Sequence, residues 1–235
     1  MRVLLVHDYY RLQGGEDLTY EAEADLLESR GHEVQRFTAD NRDVDRRSRL
    51  RLACDTVWSR AAFADLRALA ERSRPQVVHF HNTFPLISPA SYYAVRGAGA
   101  AVVQTVQNYR HFCANALLYR DGHLCQECLG SKAPWRSVVY GCYRSSRAAS
   151  AVVTAMVGVH RGLRTWDKAV DVLVAPSRFI EDKLGELGLK TALVRRKPNL
   201  VNGGPGPGSG SGGYAVFVGR LSPEKGVETL VEAWR

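Results

Sequence analysis

The sequence predicts an α/β protein with a doubly wound, Rossmann-like parallel sheet. Three observations support this fold class: an apolar run at residues 2–6, a glycine pair at Gly14 and Gly15, and helical periodicity at residues 18–30. A second apolar run follows at residues 33–37. A strand, a glycine-containing loop, a helix and a strand in this order form the first βαβ unit of a doubly wound sheet.

The same alternation continues along the chain. Helical periodicity at residues 61–73, 89–96, 148–166 and 178–187 alternates with apolar runs at residues 76–81, 101–106, 172–175 and 192–194. Ser177 is a favourable N-cap for the last helix, and Gly31 and Gly188 fit positions just beyond helix ends. We therefore expect residues 1–202 to form one domain, in which residues 107–147 are an irregular insertion that contains cysteines.

Composition narrows the class of protein. The chain has 235 residues, of which 45% are hydrophobic, so it can bury a full core. It has no apolar run of about 18 residues, the length that a membrane-spanning helix requires. The apolar run at residues 2–6 is too short for a signal peptide. We therefore expect a cytoplasmic protein.

The chain is basic, with a formal net charge of +8. Much of the excess is a dense run of arginines at Arg42, Arg46, Arg47, Arg49 and Arg51. Two interpretations stay open: a solvated helix face, or a surface for an anionic partner such as phosphate groups or acidic lipid headgroups. No nucleic-acid-binding motif accompanies the charge, so we expect no nucleic-acid partner.

The composition changes sharply near the end of the sequence. Residues 203–213 contain only glycine, proline and serine, which is typical of a flexible linker. A strand at residues 214–218 and a helix from Ser222 are predicted after it. One strand and one helix cannot bury a core. We therefore expect residues 214–235 to be the incomplete start of a second Rossmann-like domain.

The most specific motif lies in this last part, at residues 216–227. Ser222 suits the N-cap of the predicted helix and Pro223 its first position, which places Lys225 beside exposed helix amides. Amides at a helix start attract phosphate, and Arg220 and Lys225 add two positive charges. The alternative is a surface turn with solvated charges.

The motif from Gly219 to Gly226 resembles the diphosphate-binding motif of the family 4 (group 1) glycosyltransferases. Further segments match that family in order and spacing: Gly14-Gly15-Glu16, Arg30 to Val34, Val78 to Asn82, Ala175 to Phe179, and Lys197-Pro198-Asn199. The resemblance covers nearly the whole chain. It implies the GT-B fold, in which two Rossmann domains face a cleft. The first domain holds mainly the acceptor, and the second holds mainly the nucleotide sugar.

The resemblance implies a glycosyltransferase of the hexosyltransferase type. Such an enzyme moves a sugar from a nucleoside diphosphate sugar to a glycan or lipid-linked acceptor, usually with retention of anomeric configuration, in the synthesis of cell-envelope or exopolysaccharides. It implies no cofactor for catalysis. Contact with lipid-linked acceptors would place the protein peripherally at the anionic inner face of the cytoplasmic membrane.

The acidic motif that grips the donor sugar in this family is missing from residues 1–235. We therefore expect the chain by itself to be inactive. The alternative function is that of a non-catalytic fragment of this fold that binds a glycan or a nucleotide.

The resemblance also implies roles for particular residues. The donor diphosphate is expected at Gly14, Gly15, Arg220 and Lys225, and the acceptor side at Glu16, Asn82, Asn108 and Tyr109. His81 and Gln107 are the candidate catalytic residues. Many relatives have a histidine where this chain has Gln107, so no catalytic histidine transfers to that position. We expect His79 and His81 to face opposite sides of their strand, with one of them a hydrogen-bonded core residue.

The cysteines form a separate signal. Cys113, Cys125, Cys128 and Cys142 follow the spacing C-x11-C-x2-C-x13-C, and Cys54 stands apart. Four thiols with one CxxC pair in an intracellular protein favour a metal site over disulfides. A tetrahedral zinc ion would stabilise the insertion. His111 or His123 could replace one of the cysteines as a ligand. Free thiols and disulfides stay open, because a second CxxC pair is missing.

Overall fold

A six-stranded parallel sheet organises the computed structural model, which describes residues 1–189, 192–200, 206 and 208–234. Its strands are β1 (Arg2–Tyr9), β2 (Glu33–Asp40), β3 (Val77–Phe80), β4 (Ala101–Thr105), β7 (Val172–Ala175) and β8 (Leu193–Arg196). They lie in the order β2-β1-β3-β4-β7-β8, and every neighbouring pair is parallel. The predicted doubly wound sheet is confirmed.

Helices cover the sheet and fill its connections. They are α1 (Gly15–Ser29), α2 (Arg49–Trp58), α3 (Arg60–Ser73), α4 (Ser91–Arg96), α5 (Arg136–Tyr140), α6 (Arg147–Gly162), α7 (Thr165–Lys168), α8 (Arg178–Gly185) and α9 (Val227–Ala233). Ser177 accepts a hydrogen bond from the amide of Ile180, so the predicted N-cap of α8 is confirmed. Gly31 follows α1 with φ 76°, a left-handed conformation that glycine adopts without strain.

Strand β1 shows why both faces of the sheet need cover. Leu4 and Val6 join the large core cluster on one side, while Val3 and Leu5 pack with Tyr20 of α1 on the other. Successive side chains of a strand point to opposite faces, so a continuous apolar run suits a strand that is buried on both sides.

The strand order places the ligand-binding edge. In doubly wound sheets, ligands bind beyond the carboxyl ends of the strands, at the point where the order of winding reverses. Here β2 and β3 lie on either side of β1. The switch point therefore lies between β1 and β3, next to the loops that follow these strands.

Several expectations about local structure are wrong. Residues 214–218 form no strand, because none of the other described residues pairs with them. The helix predicted at residues 148–166 is two helices, since Arg164 between α6 and α7 has φ 56°. The structure also has helix α2 at Arg49–Trp58, where no helix was predicted from the sequence.

The insertion at residues 107–147 is less irregular than predicted. It contains a small antiparallel hairpin of β5 (Tyr119–Arg120) and β6 (His123–Leu124), followed by α5. In the predicted linker, residues 203–205 and 207 lie outside the described part of the chain. The described residues 206 and 208–213 contain no helix or strand.

Candidate functional site

Three loops meet at the carboxyl edge of the sheet. They follow the neighbouring strands β1, β3 and β4. The candidate catalytic, donor and acceptor residues before residue 200 lie in these loops or at the start of α1: Gly14, Gly15, Glu16, His81, Asn82, Gln107, Asn108 and Tyr109. Because parallel strands end at one edge, residues far apart in sequence lie together there.

Glu16 links the loops after β1 and β4. Its carboxylate accepts a hydrogen bond from the Tyr10 hydroxyl at 3.0 Å and another from Asn108 Nδ2 at 2.9 Å. Burial raises the pKa of Glu16, and the two hydrogen bonds partly oppose that shift. The predicted acceptor-side residues Glu16 and Asn108 therefore form one connected polar group.

The two glycines begin helix α1. Gly14 is the N-cap with φ −123°, and its amide donates to Asp17 Oδ2 at 2.7 Å. The other carboxylate oxygen of Asp17 lies 2.7 Å from His7 Nε2. A Cβ on Gly15 would meet no atom within 4 Å. Since Gly15 does not adopt the left-handed conformation, neither backbone nor packing requires glycine there, and the space in front of it is open to a ligand.

Gln107 pairs with the segment that follows β8. Its side-chain amide exchanges two hydrogen bonds with Asn199, both 3.0 Å long. Close by in sequence, Lys197 Nζ donates to Glu23 Oε1 of α1 at 2.9 Å. The chain therefore returns across the carboxyl edge after β8, which explains why the Lys197-Pro198-Asn199 match lies near the first domain's loops.

His79 and His81 share one face of the sheet, so the expectation of opposite faces is wrong. Residues two apart on a strand point the same way, and the two rings lie 4.4 Å apart between centroids. His79 Nε2 forms a 2.8 Å hydrogen bond with Thr105 Oγ1, as expected for a core histidine. Among the described residues, neither ring nitrogen of the buried His81 has a hydrogen-bond partner, although Nε2 lies 3.4 Å from Glu23 Oε2.

These histidines form a buried cluster with Glu23. Ligand atoms of Glu23, His79 and His81 lie within 4.8 Å of one another, which would suit a metal ion. The ammonium of Lys197 already neutralises Glu23, and burial lowers the pKa of both histidines, that of His81 strongly. A polar network of neutral imidazoles around one ion pair accounts for the cluster. Sequence reasoning gave no role to Glu23 or Lys197.

A cavity of about 40 Å³ brings the two candidate catalytic residues together. Its lining includes His81, Gln107, Asn82 and Asn108. A volume of this size holds water molecules but not a sugar ring. A ligand much larger than water would therefore lie over this cavity at the open edge of the sheet.

The other two candidate acceptor residues have structural partners. Asn82 Nδ2 donates to the carbonyl of Asp8 at 2.7 Å, and its Oδ1 accepts from the amide of Phe84 at 3.1 Å. Tyr109 packs edge-on against Phe179 with ring centroids 5.8 Å apart. Asn82 thus shapes the loop after β3, and the half-buried Tyr109 borders the edge.

The terminal motif differs from its predicted form. Pro223–Lys225 is a single 3₁₀ turn, and α9 begins only at Val227 because Gly226 adopts φ 66°. Ser222 does not cap a helix; its hydroxyl donates to Glu224 at 2.7 Å. Arg220 donates to the same carboxylate at 3.1 Å.

The predicted diphosphate site therefore stays a prediction. The polar contacts of Arg220 lie within its own segment, and no hydrogen bond or ion pair among the described residues joins Arg220 or Lys225 to Gly14 or Gly15. Both cationic side chains are exposed.

The arginine run is largely neutralised by nearby aspartates. The pairs are Arg42 with Asp40, Arg46 with Asp43, and both Arg47 and Arg51 with Asp55. Among the described residues, Arg49 has no such partner. The solvated-face interpretation fits these contacts, and contact with an anionic membrane stays a prediction. No helix in the described ranges has the length and apolar character needed to cross a bilayer.

The four spaced cysteines meet at one place. Cys113, Cys125, Cys128 and Cys142 line a cavity of about 20 Å³, and all five cysteines of the chain are free thiols. Burial, and then the other thiols, raises the pKa of Cys128 to about 11. His111 and His123 are not in this lining, so neither takes the place of a cysteine.

Comparisons with known proteins agree with these observations. The model of Glycosyltransferase Family 4 matches residues 14–202. No curated protein sequence matches the chain significantly. Among solved structures, HepE from Anabaena in complex with UDP aligns with a TM-score of 0.42 and 13% identity, covering 85% of this chain and 44% of HepE.

A second matching structure is UDP-GlcNAc 2-epimerase from Methanocaldococcus jannaschii. It aligns with a TM-score of 0.46 and 10% identity, covering 83% of this chain and 45% of the epimerase. The chain thus spans less than half the length of either structure.

Proposed function

Because this chain belongs to Glycosyltransferase Family 4, we propose that it provides the acceptor side of an enzyme that transfers a sugar from a nucleoside diphosphate sugar to a glycan or lipid-linked acceptor. The observation that best supports this proposal is the hydrogen bond between Glu16 and Asn108, beside Gln107, at the carboxyl edge of the sheet. Carboxylate and amide groups held in place by their neighbours suit the hydroxyl groups of a sugar.

The proposed donor site lies in front of α1. The open space at Gly15 supports close approach of a phosphate or sugar to the backbone. Arg220 and Lys225 would supply the positive charge that stabilises a departing diphosphate without a divalent metal. For this role, Arg220 must break its ion pair with Glu224 and contact the phosphate instead, which is a small rearrangement of an exposed side chain.

We propose that transfer retains anomeric configuration, with the leaving diphosphate taking the acceptor proton. The chain's own residues would then mainly position the reactants. Gln107 could turn its amide from Asn199 toward the transferred sugar. His81 is buried and neutral, so it would act through hydrogen bonding beneath the site. The hexosyl donor and a role in envelope or exopolysaccharide synthesis belong to the same proposal.

A second candidate is a binding fragment without turnover. It is favoured by the terminal segment, in which the proposed phosphate residues form no hydrogen bond or ion pair with the first domain among the described residues. In that case residues 1–235 would bind a glycan or nucleotide through the carboxyl edge and release it unchanged.

A thermal-shift panel tests the donor site. Nucleoside diphosphate sugars with different bases are added to this chain and to the protein encoded by its whole reading frame. One sugar class should raise the melting temperature of the wild type. Arg220→Ala and Lys225→Ala should each weaken binding roughly tenfold or more, since each loses a charge-assisted phosphate contact.

Arg67→Ala is the matched control. Arg67 forms an exposed ion pair with Glu71 four residues on, at 2.8 Å, just as Arg220 does with Glu224. It should leave binding unchanged. Equal responses of the wild type and both motif variants would refute the proposed roles.

Product analysis then separates the two functions. Incubation of the responding sugar nucleotide with candidate acceptors should yield a glycoside whose anomeric configuration, read by NMR, matches that of the donor. Inversion would refute retention, and saturable binding with no product from the whole reading frame would establish the binding function instead.

A further inference from the structure

Part of the insertion contributes no fully buried residue to the apolar core. From residue 119 to residue 133, no side chain is buried. This stretch contains the β5–β6 hairpin and the turn that follows it, held by local hydrogen bonds such as that from the Cys125 amide to the Leu118 carbonyl at 2.8 Å. A short two-stranded hairpin is only marginally stable in water by itself. The packing of Leu129 against the main core and the hydrogen bond from Arg161 to the Ser131 carbonyl attach the end of this segment to the domain, and the cysteines offer a further attachment.

The cysteines enclose this stretch from both sides. Cys125 and Cys128 flank a turn closed by the Leu129 amide and the Gln126 carbonyl, 3.0 Å apart. Cys113 precedes the hairpin, and Cys142 follows α5. All four thiols nevertheless line one small cavity, although they come from three separate parts of the insertion.

A fifth residue of the cavity lining, Arg120, supplies an independent observation. Its Nη2 donates to Glu127 at 2.8 Å, and its guanidinium lies 3.5 Å from the centroid of the Tyr140 ring. Among the described residues, its buried Nε and Nη1 form no hydrogen bond of regular geometry, although Nε lies 3.3 Å from the Asp121 carboxylate as an ion pair. Buried donors without acceptors are rare, and these two belong to a cation beside the thiols of Cys125 and Cys142.

We propose that Cys113, Cys125, Cys128 and Cys142 bind one structural zinc ion. Binding replaces the four thiol protons, which pass to solvent, and leaves a cluster with a net charge of about −2. The Arg120 guanidinium offsets part of that charge, and its free N–H groups are suitable donors to thiolate sulfur.

The zinc would also restrict the motion of the loop after β4, which belongs to the candidate site. Cys113 lies just beyond Gln107 and Asn108, and its amide donates to the Tyr109 carbonyl at 2.8 Å. A metal bond at Cys113 anchors the far end of the loop that follows β4. The zinc proposal does not depend on the proposed sugar transfer, and its tests measure metal and structure instead of activity.

Metal content is the first test. The chain, purified without chelator from zinc-containing medium, should carry about one zinc ion per molecule by mass spectrometry. Cys128→Ser and Cys142→Ser should lose most of it. Cys54→Ser is the matched control, because Cys54 is exposed on α2 away from the cluster. Equal zinc in the wild type and both ligand variants would refute the proposal.

Cobalt substitution of the wild type keeps the test valid if a variant fails to fold. Cobalt(II) added to metal-free protein should give the visible bands of a tetrahedral thiolate site, and zinc should abolish them. A wild type that holds no zinc and takes up no cobalt, or whose four thiols are found as disulfides, overturns the inference.

Proteolysis supplies a structural readout. Trypsin should cleave after Lys132 and Arg136 much faster once a chelator has removed the metal, while the sheet domain stays intact. Arg120→Gln should weaken metal binding without abolishing it, because it removes a positive charge next to the sulfur atoms but leaves all four proposed ligands in place. Cleavage that is indifferent to chelation would contradict a role of the metal in holding this segment.

Discussion

The carboxyl edge of the sheet and the terminal segment, residues 208–234, carry the two halves of the predicted site but differ in how they are built. At the edge, His7, Asp17 and His81 are buried, and the hydrogen bonds of Asn108 with Glu16 and of Gln107 with Asn199 join residues far apart in the sequence. In the terminal segment no described residue is buried, and the side-chain hydrogen bonds of Arg220 and Ser222 reach only Glu224.

This difference changes the chemistry of similar residue types. Burial raises the pKa of Glu16 at the edge, whereas the hydrogen bond from Ser222 lowers the pKa of the more exposed Glu224. The edge is a preformed set of groups with altered acid–base properties. The terminal segment has the right residues for phosphate binding, but its charges are still paired with each other or solvated.

Mild acid should produce the largest contrast. Five buried histidines, His7, His79, His81, His111 and His160, have pKa values lowered by burial, that of His111 to about 3. Unfolding lets them bind protons, so stability is present above the unfolded pKa of about 6.5 and is lost as the pH falls below it. The terminal segment contains no histidine.

We expect the unfolding free energy to fall by several kcal/mol between pH 7 and pH 5.5, because each histidine whose folded-state pKa lies below this range contributes up to about 1.4 kcal/mol per pH unit. Urea denaturation across this range measures it. His81→Gln should make the slope shallower, and the exposed His123→Gln should not. A flat profile would show that these imidazoles take up protons in the folded state.

A matched pair of phenylalanines gives the next largest effect. Phe80 is fully buried and its ring meets that of Tyr92 edge-on at 4.7 Å, whereas Phe217 in the terminal segment is 37% exposed. Phe80→Ala should cost about 3–5 kcal/mol by urea denaturation, and Phe217→Ala about 0.5 kcal/mol or less. Similar losses for both would mean that the terminal segment packs against the domain in solution.

The same contrast explains what the sequence could predict. A continuous apolar run identified β1, and residue preference identified the N-cap Ser177, because local pattern and tertiary structure agree there. Neither signal could show which loops meet, since strand order brings Glu16 and Asn108 together. The strand at residues 214–218 and the Ser222 cap failed because a strand needs a partner and because Gly226 separates the motif from α9.

The polar group at the edge should show measurable coupling. Glu16 and Asn108 are joined by a 2.9 Å hydrogen bond to a carboxylate. A double-mutant cycle with Glu16→Ala and Asn108→Ala should give a coupling energy of about 1–2 kcal/mol in unfolding experiments. The exposed pair Arg67 and Glu71 serves as the control and should give less than about 0.5 kcal/mol. Additive losses at the edge would show that its two loops are held independently.

A substitution at Gly15 should have the smallest effect on stability but should weaken binding of the donor. A Cβ at Gly15 meets no atom within 4 Å, so Gly15→Ala should change the unfolding free energy by about 0.5 kcal/mol or less. The added methyl group would occupy the space proposed for the donor, so binding of the responding nucleotide sugar should weaken in the protein from the whole reading frame.

Gly31→Ala should have the opposite pair of effects: a loss of stability with no change in donor binding. Its surroundings are equally open, but φ is 76°, so alanine should cost about 1 kcal/mol of stability and leave donor binding unchanged. Calorimetric titration of both variants measures donor binding, and urea denaturation measures their stability. If Gly15→Ala binds the nucleotide sugar as tightly as the wild type, the open space before α1 is solvent, and the donor must be held by the terminal motif without the first glycine loop.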